Sequence, residues 1–382
     1  MSIPQSNRLA EEANRIAVYV NVPYCDAACS FCHYIPNISF RHSAVPREYV
    51  SRLADQALAV LGLCAPARPG VSCYLGGGTP SLLSPSQLKS LFATLDEVVT
   101  GFDEVCVEIH PATWDEGYLD LGRFNRYSIG VQTFCEARLA AWGRLPYNTA
   151  VVKRIAADIR SSTPLASINI DLILDGQLDE ADLALAAELR PDSITLYPKT
   201  GPKNPGDILA IRQRLERAAV LLPEYTPLNR GSFIFCLVPG TTSRYASHEY
   251  EDAGDIVALG HNSVSLLGPD AYLCLYDSST FTYRPKYLGD RYLRTMLRSV
   301  PVGATEWLVT MTDPDVMDFL APHDKCNRLW CLPPARFGDF YGYIQQRHGA
   351  DYSREFLRGI LYGDDRPDLL HEAADVPPLY PD

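Results

Sequence analysis

The sequence IAVYVNVPYCDAACSFCHY at residues 16–34 joins a strand-like run to a loop that carries three cysteines. Residues 16–22 are apolar and β-branched, which predicts a β-strand. Cys25, Cys29 and Cys32 follow this strand with the spacing C-x3-C-x2-C. Three thiolates on one short loop can hold three irons of a 4Fe–4S cluster. The fourth iron would then have no protein ligand and stay open to a small molecule.

An open iron suits S-adenosylmethionine (SAM), whose amino and carboxylate groups can chelate it. An electron from the cluster could then split the sulfonium and release a 5′-deoxyadenosyl radical. The alternatives are a structural zinc site and three unconnected buried thiols. A zinc site usually has a fourth Cys or His at matching spacing, and His33, next to Cys32, is badly placed to close the same tetrahedron. The cysteine triplet therefore favours the cluster.

The composition is that of a globular protein large enough for one domain and a smaller appendage. Of 382 residues, 47% are hydrophobic and 21% are charged. No run approaches the roughly 20 apolar residues of a membrane helix, and the N-terminal segment has no apolar core of a signal peptide. We therefore expect a cytoplasmic protein with no membrane partner, whose 11 cysteines are thiols or ligands. The formal net charge of −12 argues against a nucleic-acid partner.

Strand-like runs alternate with helical segments through about residue 240. The runs are 16–22, 71–75, 104–109, 127–131, 167–174, 193–197 and 232–238. This alternation predicts an α/β fold with parallel strands and right-handed crossovers, and about six units predict a partial, TIM-like (β/α)6 barrel. We expect an N-terminal extension over 1–15, the partial barrel over 16–250 and a smaller C-terminal α+β region over 251–382 that covers the substrate.

Two helices are indicated by local signals. Ser84 before Pro85, with Gln87 three residues after the serine, predicts a capping box that opens a helix in SPSQLKSLFATL. The segment 206–222 has the spacing of an amphipathic helix.

Polar and glycine-rich positions fall where the predicted strands end. LGGGTPSLL at 75–83 follows the second strand, and its glycines let backbone amides approach a ligand closely. Glu108 and Gln132 end the third and fourth strands, Arg144 follows the fourth, and Asp171 lies in the fifth. Taken singly, each has an ordinary explanation, such as a tight turn, a helix cap or an ion pair. Together, at the edge where parallel barrels carry their reacting groups, they predict a nucleoside site.

Six blocks, in order, resemble one branch of a known family. They read VNVPYCDAACSFC, YLGGGTPSLLS, VEIHPATW, YSIGVQTF with the following WGR, NIDLI, and ITLYPKTGPKNPGD. From about residue 16 to 200 the chain is similar to the radical SAM enzymes named for oxygen-independent coproporphyrinogen III oxidase. That branch also includes heme chaperones, anaerobic heme-degrading enzymes, C-methyltransferases and cyclopropanases.

The resemblance implies a barrel of the radical SAM type, a 4Fe–4S cluster on the three cysteines, and one or two SAM molecules. It also implies an electron donor such as flavodoxin or ferredoxin. In the family, some of the matching residues contact the methionine part of SAM, and others bind its ribose and carboxylate. A third group lies near the adenosine or helps a second SAM bind. The implied cofactor-binding residues are Tyr19, Gly77, Gly78, Thr79, Glu108, Gln132, Arg144, Asp171 and Ile173.

Departures from the family pattern bear on the substrate. Coproporphyrinogen oxidases carry a further cysteine where this chain has Tyr34, and heme chaperones usually have Asp-Phe where it has His33-Tyr34. The glycine-rich block at the barrel end is altered, as DIVALGHNSVSLLG at 255–268. We therefore expect a small organic substrate, and favour radical C-methylation or cyclopropanation with two SAM molecules in natural-product biosynthesis. The alternatives are oxidative decarboxylation or rearrangement of a carboxylated or porphyrin-like substrate with one SAM, and a non-catalytic heme carrier.

His33 and Tyr34 are the candidate catalytic residues because they follow the cluster loop directly. Further candidates for proton handling or substrate contact are His110, Tyr197, His248 and His261. For these four a hydrogen-bonded loop or core position is the commoner explanation. Cys326 and Cys331, in DKCNRLWC, offer only two thiols, which favours a structural role over an extra metal site.

Overall fold

The computed structural model describes a large, regular part of the chain. The described residues are 15–32, 39–40, 45–64, 68–176, 178–199, 205–227, 234–236, 243–250, 255–267, 270–277, 282–290, 297–299, 307–310, 321–322 and 329–332. The helices are α1 (Arg47–Cys64), α2 (Pro85–Val98), α3 (Gly117–Asp120), α4 (Glu136–Ala141), α5 (Thr149–Ser162), α6 (Glu180–Glu188), α7 (Pro205–Leu221) and α8 (Arg244–Tyr250).

The strands form one large sheet and two small ones. They are β1 (Ile16–Val22), β2 (Tyr24–Cys25), β3 (Ser39–Phe40), β4 (Gly70–Gly77), β5 (Phe102–Ile109), β6 (Arg126–Gln132), β7 (Ser167–Leu174), β8 (Ser193–Pro198), β9 (Thr226–Pro227), β10 (Ile234–Cys236), β11 (Asp255–Leu259), β12 (Ser263–Leu267), β13 (Asp270–Asp277), β14 (Thr282–Asp290), β15 (Leu297–Ser299), β16 (Trp307–Thr310), β17 (Ala321–Pro322) and β18 (Leu329–Leu332).

Six strands in sequential order form the centre of the large sheet. The 12 strands run β14-β13-β12-β11-β1-β4-β5-β6-β7-β8-β10-β9. All pairs from β1 through β8 are parallel. Each of these six strands is followed by at least one helix before the next strand of the large sheet, which is the (β/α)6 pattern. The predicted α/β class is therefore confirmed, and the central strands match the predicted runs to within two residues at each end.

Two strands depart from the expected arrangement. The run 232–238 was expected to continue the parallel series, but β10 pairs antiparallel with β8. The reason is that β9 and β10 also pair antiparallel, so the chain returns between β9 and β8. In addition, β11 lies beyond residue 250 and pairs in parallel with β1. The large sheet thus continues past the predicted domain boundary, which itself stays a prediction.

The central strands have two chemically different faces. We call the side covered by α1, α2, α5, α6 and α7 the outer face; its residues on β5 are Val105, Val107 and Ile109, all in the main hydrophobic core. The opposite side, the inner face, carries Glu104 and Glu108 on the same strand. Both faces are largely buried, as is usual for parallel strands between two layers.

The start of α2 confirms the predicted capping box. The Ser84 hydroxyl accepts from the Gln87 amide at 3.3 Å, while the Gln87 side chain accepts from the Ser84 amide at 2.8 Å. Pro85 occupies the first helical position. The cap matters for the site because it fixes the exit of the glycine-rich loop that follows β4.

Beyond β11 the strands pair antiparallel, through β12, β13 and β14 in the large sheet and through β15, β16, β18 and β17 in a small one. Among the described helices, none combines the length and apolar character needed to cross a membrane. His33, Tyr34 and Cys326 lie outside the described residues, and for Cys331 only the backbone, in β18, is described.

Candidate functional site

The cysteine loop is packed against the segments that follow β4 and β6. The Cys25 sulfur lies 3.1 Å from the Thr79 hydroxyl, after β4. The Ser30 amide donates to the Trp142 carbonyl at 2.8 Å, just past α4. Cys29 is buried and packs with the side chains of Trp142 and Phe31, and Cys32 packs against this apolar group. The loop is therefore held on both sides by residues of the neighbouring strand ends.

The three cysteines are free thiols with different surroundings. Burial raises the pKa of the Cys29 thiol, and the nearby Arg144 guanidinium, 3.8 Å from its sulfur, opposes this rise. A cation beside a thiol favours the thiolate that binds metal. Among the described residues, however, no three or more His, Cys, Asp or Glu side chains form a group placed to hold a metal ion. Assignment of the three thiols to a cluster thus stays a prediction from the sequence.

The glycine-rich loop lies directly against the end of β1 and the start of the cysteine loop. Gly77 has φ +108°, and a Cβ there would lie 2.1 Å from the Asn21 side-chain oxygen. A Cβ on Gly78 would lie 2.5 Å from the Tyr24 carbonyl oxygen, and the Gly78 amide donates to Val22 at 2.9 Å. A side chain at either position would clash with the protein's own chain, so both positions require glycine. This close approach places Thr79 beside Cys25.

Gln132 and Arg144 meet at the end of β6. Gln132 has φ 64°, in the left-handed region that a non-glycine residue adopts at a cost of roughly 1–3 kcal/mol. Arg144 donates to the Gly130 carbonyl, and a Cβ on Gly130 would lie 2.9 Å from the side-chain nitrogen Nε2 of Gln132. Gln132 Oε1 and Arg144 Nε are buried and have no hydrogen-bond partner within the described structure. Buried polar atoms without partners are costly, so these two atoms indicate a place for a polar ligand.

Glu108 lies on the inner face near the carboxyl end of β5. Its Oε1 accepts a hydrogen bond from the Tyr74 hydroxyl at 2.9 Å. The same face carries Tyr19, whose ring stacks on that of Tyr74 with centroids 6.0 Å apart. Tyr19 and Glu108 are thus linked through Tyr74, a residue that the sequence analysis did not select.

Asp171 and Ile173 are neighbours on the inner face of β7 with separate environments. The Asp171 carboxylate accepts from the Ser128 hydroxyl at 3.0 Å and from the Asn169 side-chain amide at 2.8 Å. Burial raises the pKa of Asp171 to about 6, although these hydrogen bonds favour the ionised form. Ile173 instead packs with Cys29 beside the cysteine loop.

The other histidine and tyrosine candidates are scattered. His110 is buried after β5, where its Nδ1 accepts from the Ala112 amide at 3.0 Å and burial holds its pKa well below the usual value. Tyr197, on the inner face of β8, is 37% exposed. His248 is fully buried, with Nε2 3.1 Å from the Asp255 carbonyl oxygen. His261 accepts from the Asn21 side chain through its backbone carbonyl.

Sequence reasoning missed an inner-face polar network. Asn169 is its centre: its oxygen accepts from Ser193 at 2.7 Å and from Thr195 at 3.0 Å, and its amide donates to Ser128 and Asp171. The available signal was the alternation of polar and apolar residues in SINIDLIL and SITLY. This network orients the Asp171 carboxylate, so residues below the sheet edge determine the shape of the site.

Comparison with known proteins assigns the class of this domain. The family model described as the radical SAM superfamily matches residues 20–187. This range runs from within β1 to within α6 and includes the cysteine loop and the glycine-rich loop, so this part of the chain matches a radical SAM domain.

Named relatives place the domain within the superfamily. The heme chaperone HemW of Escherichia coli strain K12 is 33% identical over 48% of this chain and 50% of its own length. The oxygen-independent coproporphyrinogen III oxidase of Synechocystis is 30% identical over 48% of this chain and 41% of its own length. Over this shared part, the chain is similar to proteins of the heme chaperone and coproporphyrinogen oxidase branch. It spans about half the length of the curated relatives it matches.

A solved structure extends the similarity of the fold. Coproporphyrinogen III oxidase from Escherichia coli superposes with a TM-score of 0.57, covering 72% of this chain and 71% of that one, at 21% identity. Radical SAM proteins hold a 4Fe–4S cluster and SAM, and the donor chemistry of the residues here suits both groups, although no described group of three such side chains is placed to hold a metal ion. Three free thiols provide soft ligands for iron. The partnerless atoms of Gln132 and Arg144 provide hydrogen-bonding capacity for a polar ligand.

Proposed function

We propose that this protein is a radical SAM enzyme whose cluster is bound by Cys25, Cys29 and Cys32. The observation that carries the proposal is the direct contact between the cysteine loop and two strand ends, through Thr79 and Arg144. When bound, a reduced 4Fe–4S cluster with an open iron supplies the electron that cleaves the sulfonium bond of SAM and so gives radical chemistry at a carbon centre.

The residues of the chain have separate roles in this proposal. Arg144 provides a guanidinium for the SAM carboxylate and a positive charge beside Cys29. Glu108 and Gln132 bind ribose hydroxyls from the ends of β5 and β6. Ile173, with Phe31 and Trp142, covers Cys29 with apolar side chains, which exclude water from the cluster.

The Gly77–Gly78–Thr79 backbone borders the methionine part of SAM, and Tyr19 lies beside the cofactor. Asp171 borders the adenosine or a second SAM. A reducing partner such as flavodoxin or ferredoxin, a small-molecule substrate and a cytoplasmic location belong to the same proposal. His33 and Tyr34 stay predictions as catalytic residues, because they lie outside the described residues.

The substrate class we propose is a tetrapyrrole. The sequence favours C-methylation or cyclopropanation, but the relatives above are named as a heme chaperone and a coproporphyrinogen oxidase, which gives methyl transfer no support. A one-SAM oxidation or rearrangement of a porphyrin-like molecule agrees better with these relatives. Tyr197, partly exposed on the inner face of β8, offers an aromatic surface that a planar macrocycle can contact.

A second candidate function is that of a heme carrier that retains the radical SAM fold. Its support is the 33% identity to a protein named as a heme chaperone. The two candidates share the cluster loop and differ in whether SAM is consumed. Heme binding without SAM cleavage would indicate the carrier, and SAM cleavage coupled to a change in the tetrapyrrole would indicate the enzyme.

The test uses the full chain, reconstituted with iron and sulfide in the absence of oxygen. We expect iron and sulfide near four per chain, and 5′-deoxyadenosine that depends on both reductant and SAM. Heme titration followed by absorbance, and detection of S-adenosylhomocysteine, test the carrier and methyl transfer in the same samples. Cys25→Ser should abolish 5′-deoxyadenosine, whereas Cys135→Ser, the same change at an exposed thiol after β6, should not. Zinc in the loop, or equal loss in both variants, would overturn the proposal.

A further inference from the structure

A hydrogen bond crosses between two neighbouring strands directly below the predicted nucleoside site. Tyr74 is on β4 and is paired in register with Cys106 on β5, so Glu108 lies one inner-face position further toward the carboxyl end. The Tyr74 hydroxyl reaches across this step and donates to Glu108 Oε1 at 2.9 Å. One oxygen of the Glu108 carboxylate therefore accepts a hydrogen bond from Tyr74, which opens the block YLGGGTPSLLS but was not among the candidate site residues.

The Tyr74 ring packs against two other tyrosine rings, which also contact each other. Its centroid lies 6.0 Å from that of Tyr19, with the planes 15° apart, and 5.2 Å from that of Tyr245, with the planes 40° apart. Gly76, two residues after Tyr74, leaves space for this stack, since a Cβ there would lie 2.8 Å from the Tyr19 hydroxyl and 3.0 Å from a Tyr74 ring carbon. Packing thus restricts the ring orientation that the hydrogen bond requires.

The third ring of this group, that of Tyr245, is fixed by a separate buried carboxylate, Glu104. Glu104 accepts from the Ser243 hydroxyl at 3.0 Å, the Arg244 amide at 2.9 Å and the Tyr245 amide at 3.3 Å. It also accepts from Ser72 at 3.0 Å, on the strand that carries Tyr74. The start of α8, which lies beyond the matched radical SAM range, is therefore anchored to the inner face and supports Tyr74.

The protonation state of Tyr74 suits it as a hydrogen-bond donor. Burial is the main cause that raises its pKa well above the ordinary value, and the Glu108 charge adds to the effect. The hydroxyl consequently keeps its proton at neutral pH, and a hydroxyl that donates to a carboxylate makes a charge-assisted bond. Asp171 and Tyr197 also act electrostatically on Tyr74, so all three belong to one inner-face environment.

We propose that Tyr74 is a positioning residue that orients the Glu108 carboxylate for the ribose hydroxyls of the bound nucleoside. The inference rests on the proposed function, in which Glu108 binds ribose. Tyr74 itself need not touch the ligand, because its effect passes through one carboxylate oxygen. Loss of the Tyr74 hydroxyl should leave the fold in place and weaken the recognition of ribose specifically.

The test measures equilibrium binding, without turnover, to the reconstituted full chain kept free of oxygen. The two probes are S-adenosylhomocysteine and its 2′,3′-dideoxy analogue, which lacks both ribose hydroxyls. Wild-type protein should bind the first more tightly, and Tyr74→Phe should reduce that preference roughly tenfold, the usual size of one charge-assisted hydrogen bond. Affinity for the dideoxy analogue should be nearly unchanged.

Two further variants separate positioning from general damage. Tyr118→Phe removes another buried tyrosine hydroxyl, one that donates to the Leu83 carbonyl, and should not alter the ribose preference. Gly76→Ala keeps the Tyr74 hydroxyl but crowds its ring, and should reduce the preference; it also serves if Tyr74→Phe fails to fold.

The outcomes distinguish this inference from the proposed function. Wild-type protein that binds neither probe, or binds both equally, would overturn the nucleoside site itself. Wild-type protein that prefers the ribose, with an unchanged preference in Tyr74→Phe and Gly76→Ala, would overturn only the role of Tyr74. An equal loss of affinity for both probes would also overturn it, because that pattern is expected of a residue that merely supports the fold.

Discussion

The two faces of the central strands have opposite chemistry although they share one backbone. The outer face of β4 carries Cys73 and Leu75, both fully buried in the main hydrophobic core against the helices. The inner face of the same strand carries Ser72 and Tyr74, which make hydrogen bonds to acidic residues of β5. The same contrast recurs on β7, where Ile170 and Leu172 face the helices while Asn169 and Asp171 bond to each other.

The contrast shows where stability and function are located. The outer face is stabilised by the burial of apolar side chains, which contributes much to the free energy of unfolding. Its close packing tolerates little change in side-chain volume. The inner face is held by hydrogen bonds, whose net contribution to stability is smaller but which fix the orientation of carboxylates. Substitutions on the outer face should therefore lower the free energy of unfolding, while substitutions at the inner-face edge should change binding.

The largest effect is expected in the loop beyond both faces. Cys29→Ser should remove the cluster, because a serine hydroxyl is a poor ligand for iron, and 5′-deoxyadenosine formation should fall below detection. Iron content and the amount of 5′-deoxyadenosine are measured after anaerobic reconstitution. The melting temperature of the metal-free protein serves as the control for folding. Retention of a full cluster would contradict the assignment.

Leu75→Ala tests the outer face. Leu75 is fully buried, so the change should lower the free energy of unfolding by about 2–5 kcal/mol through lost burial and an unfilled cavity. Urea denaturation measures the loss. At a denaturant concentration where the variant is still folded, S-adenosylhomocysteine should bind as it does to wild-type protein. A large loss of affinity in the folded variant would contradict the separation of the two faces.

Asp171→Asn tests the inner face through pH. The pKa of Asp171 in the folded protein is about 6, above the ordinary value of 3.8, so the folded state binds the proton more tightly than the unfolded state. Well below pH 4 the Asp171 carboxyl is protonated in both states and therefore does not lower the free energy of unfolding. As the pH rises from about 4 to 6, the unfolded state loses this proton first and the wild-type protein is destabilised relative to Asp171→Asn, by at most about 3 kcal/mol once the pH exceeds 6. Urea midpoints of both proteins between pH 4 and 7 measure this, and parallel curves would contradict it.

The sequence alone predicted the central strands, because runs of apolar, β-branched residues indicate a buried strand whichever strand it pairs with. It did not predict the direction of β10, because that depends on its pairing with β9 in space. The candidate residues at the strand ends followed from motif order. Tyr74 opens the block YLGGGTPSLLS, but it was missed as a site residue because a tyrosine near the end of VSCYL indicates only a strand. The left-handed backbone of Gln132 was equally hidden, since no glycine marks the position.

The smallest and sharpest comparison places one substitution on each face. Cys73 and Cys106 are both fully buried thiols on adjacent, paired strands, with Cys73 in the hydrophobic core and Cys106 between Glu104 and Glu108 on the inner face. Burial raises the pKa of both thiols, so each is a neutral group in the folded protein. A serine hydroxyl needs a hydrogen-bond partner when buried, and only the inner face provides nearby carboxylates and hydroxyls. Cys73→Ser should therefore cost about 1–3 kcal/mol and Cys106→Ser less than about 1 kcal/mol, measured as urea midpoints side by side. Equal costs would show that the inner face is as apolar in its energetics as the outer one, and that the polar network does not extend to Cys106.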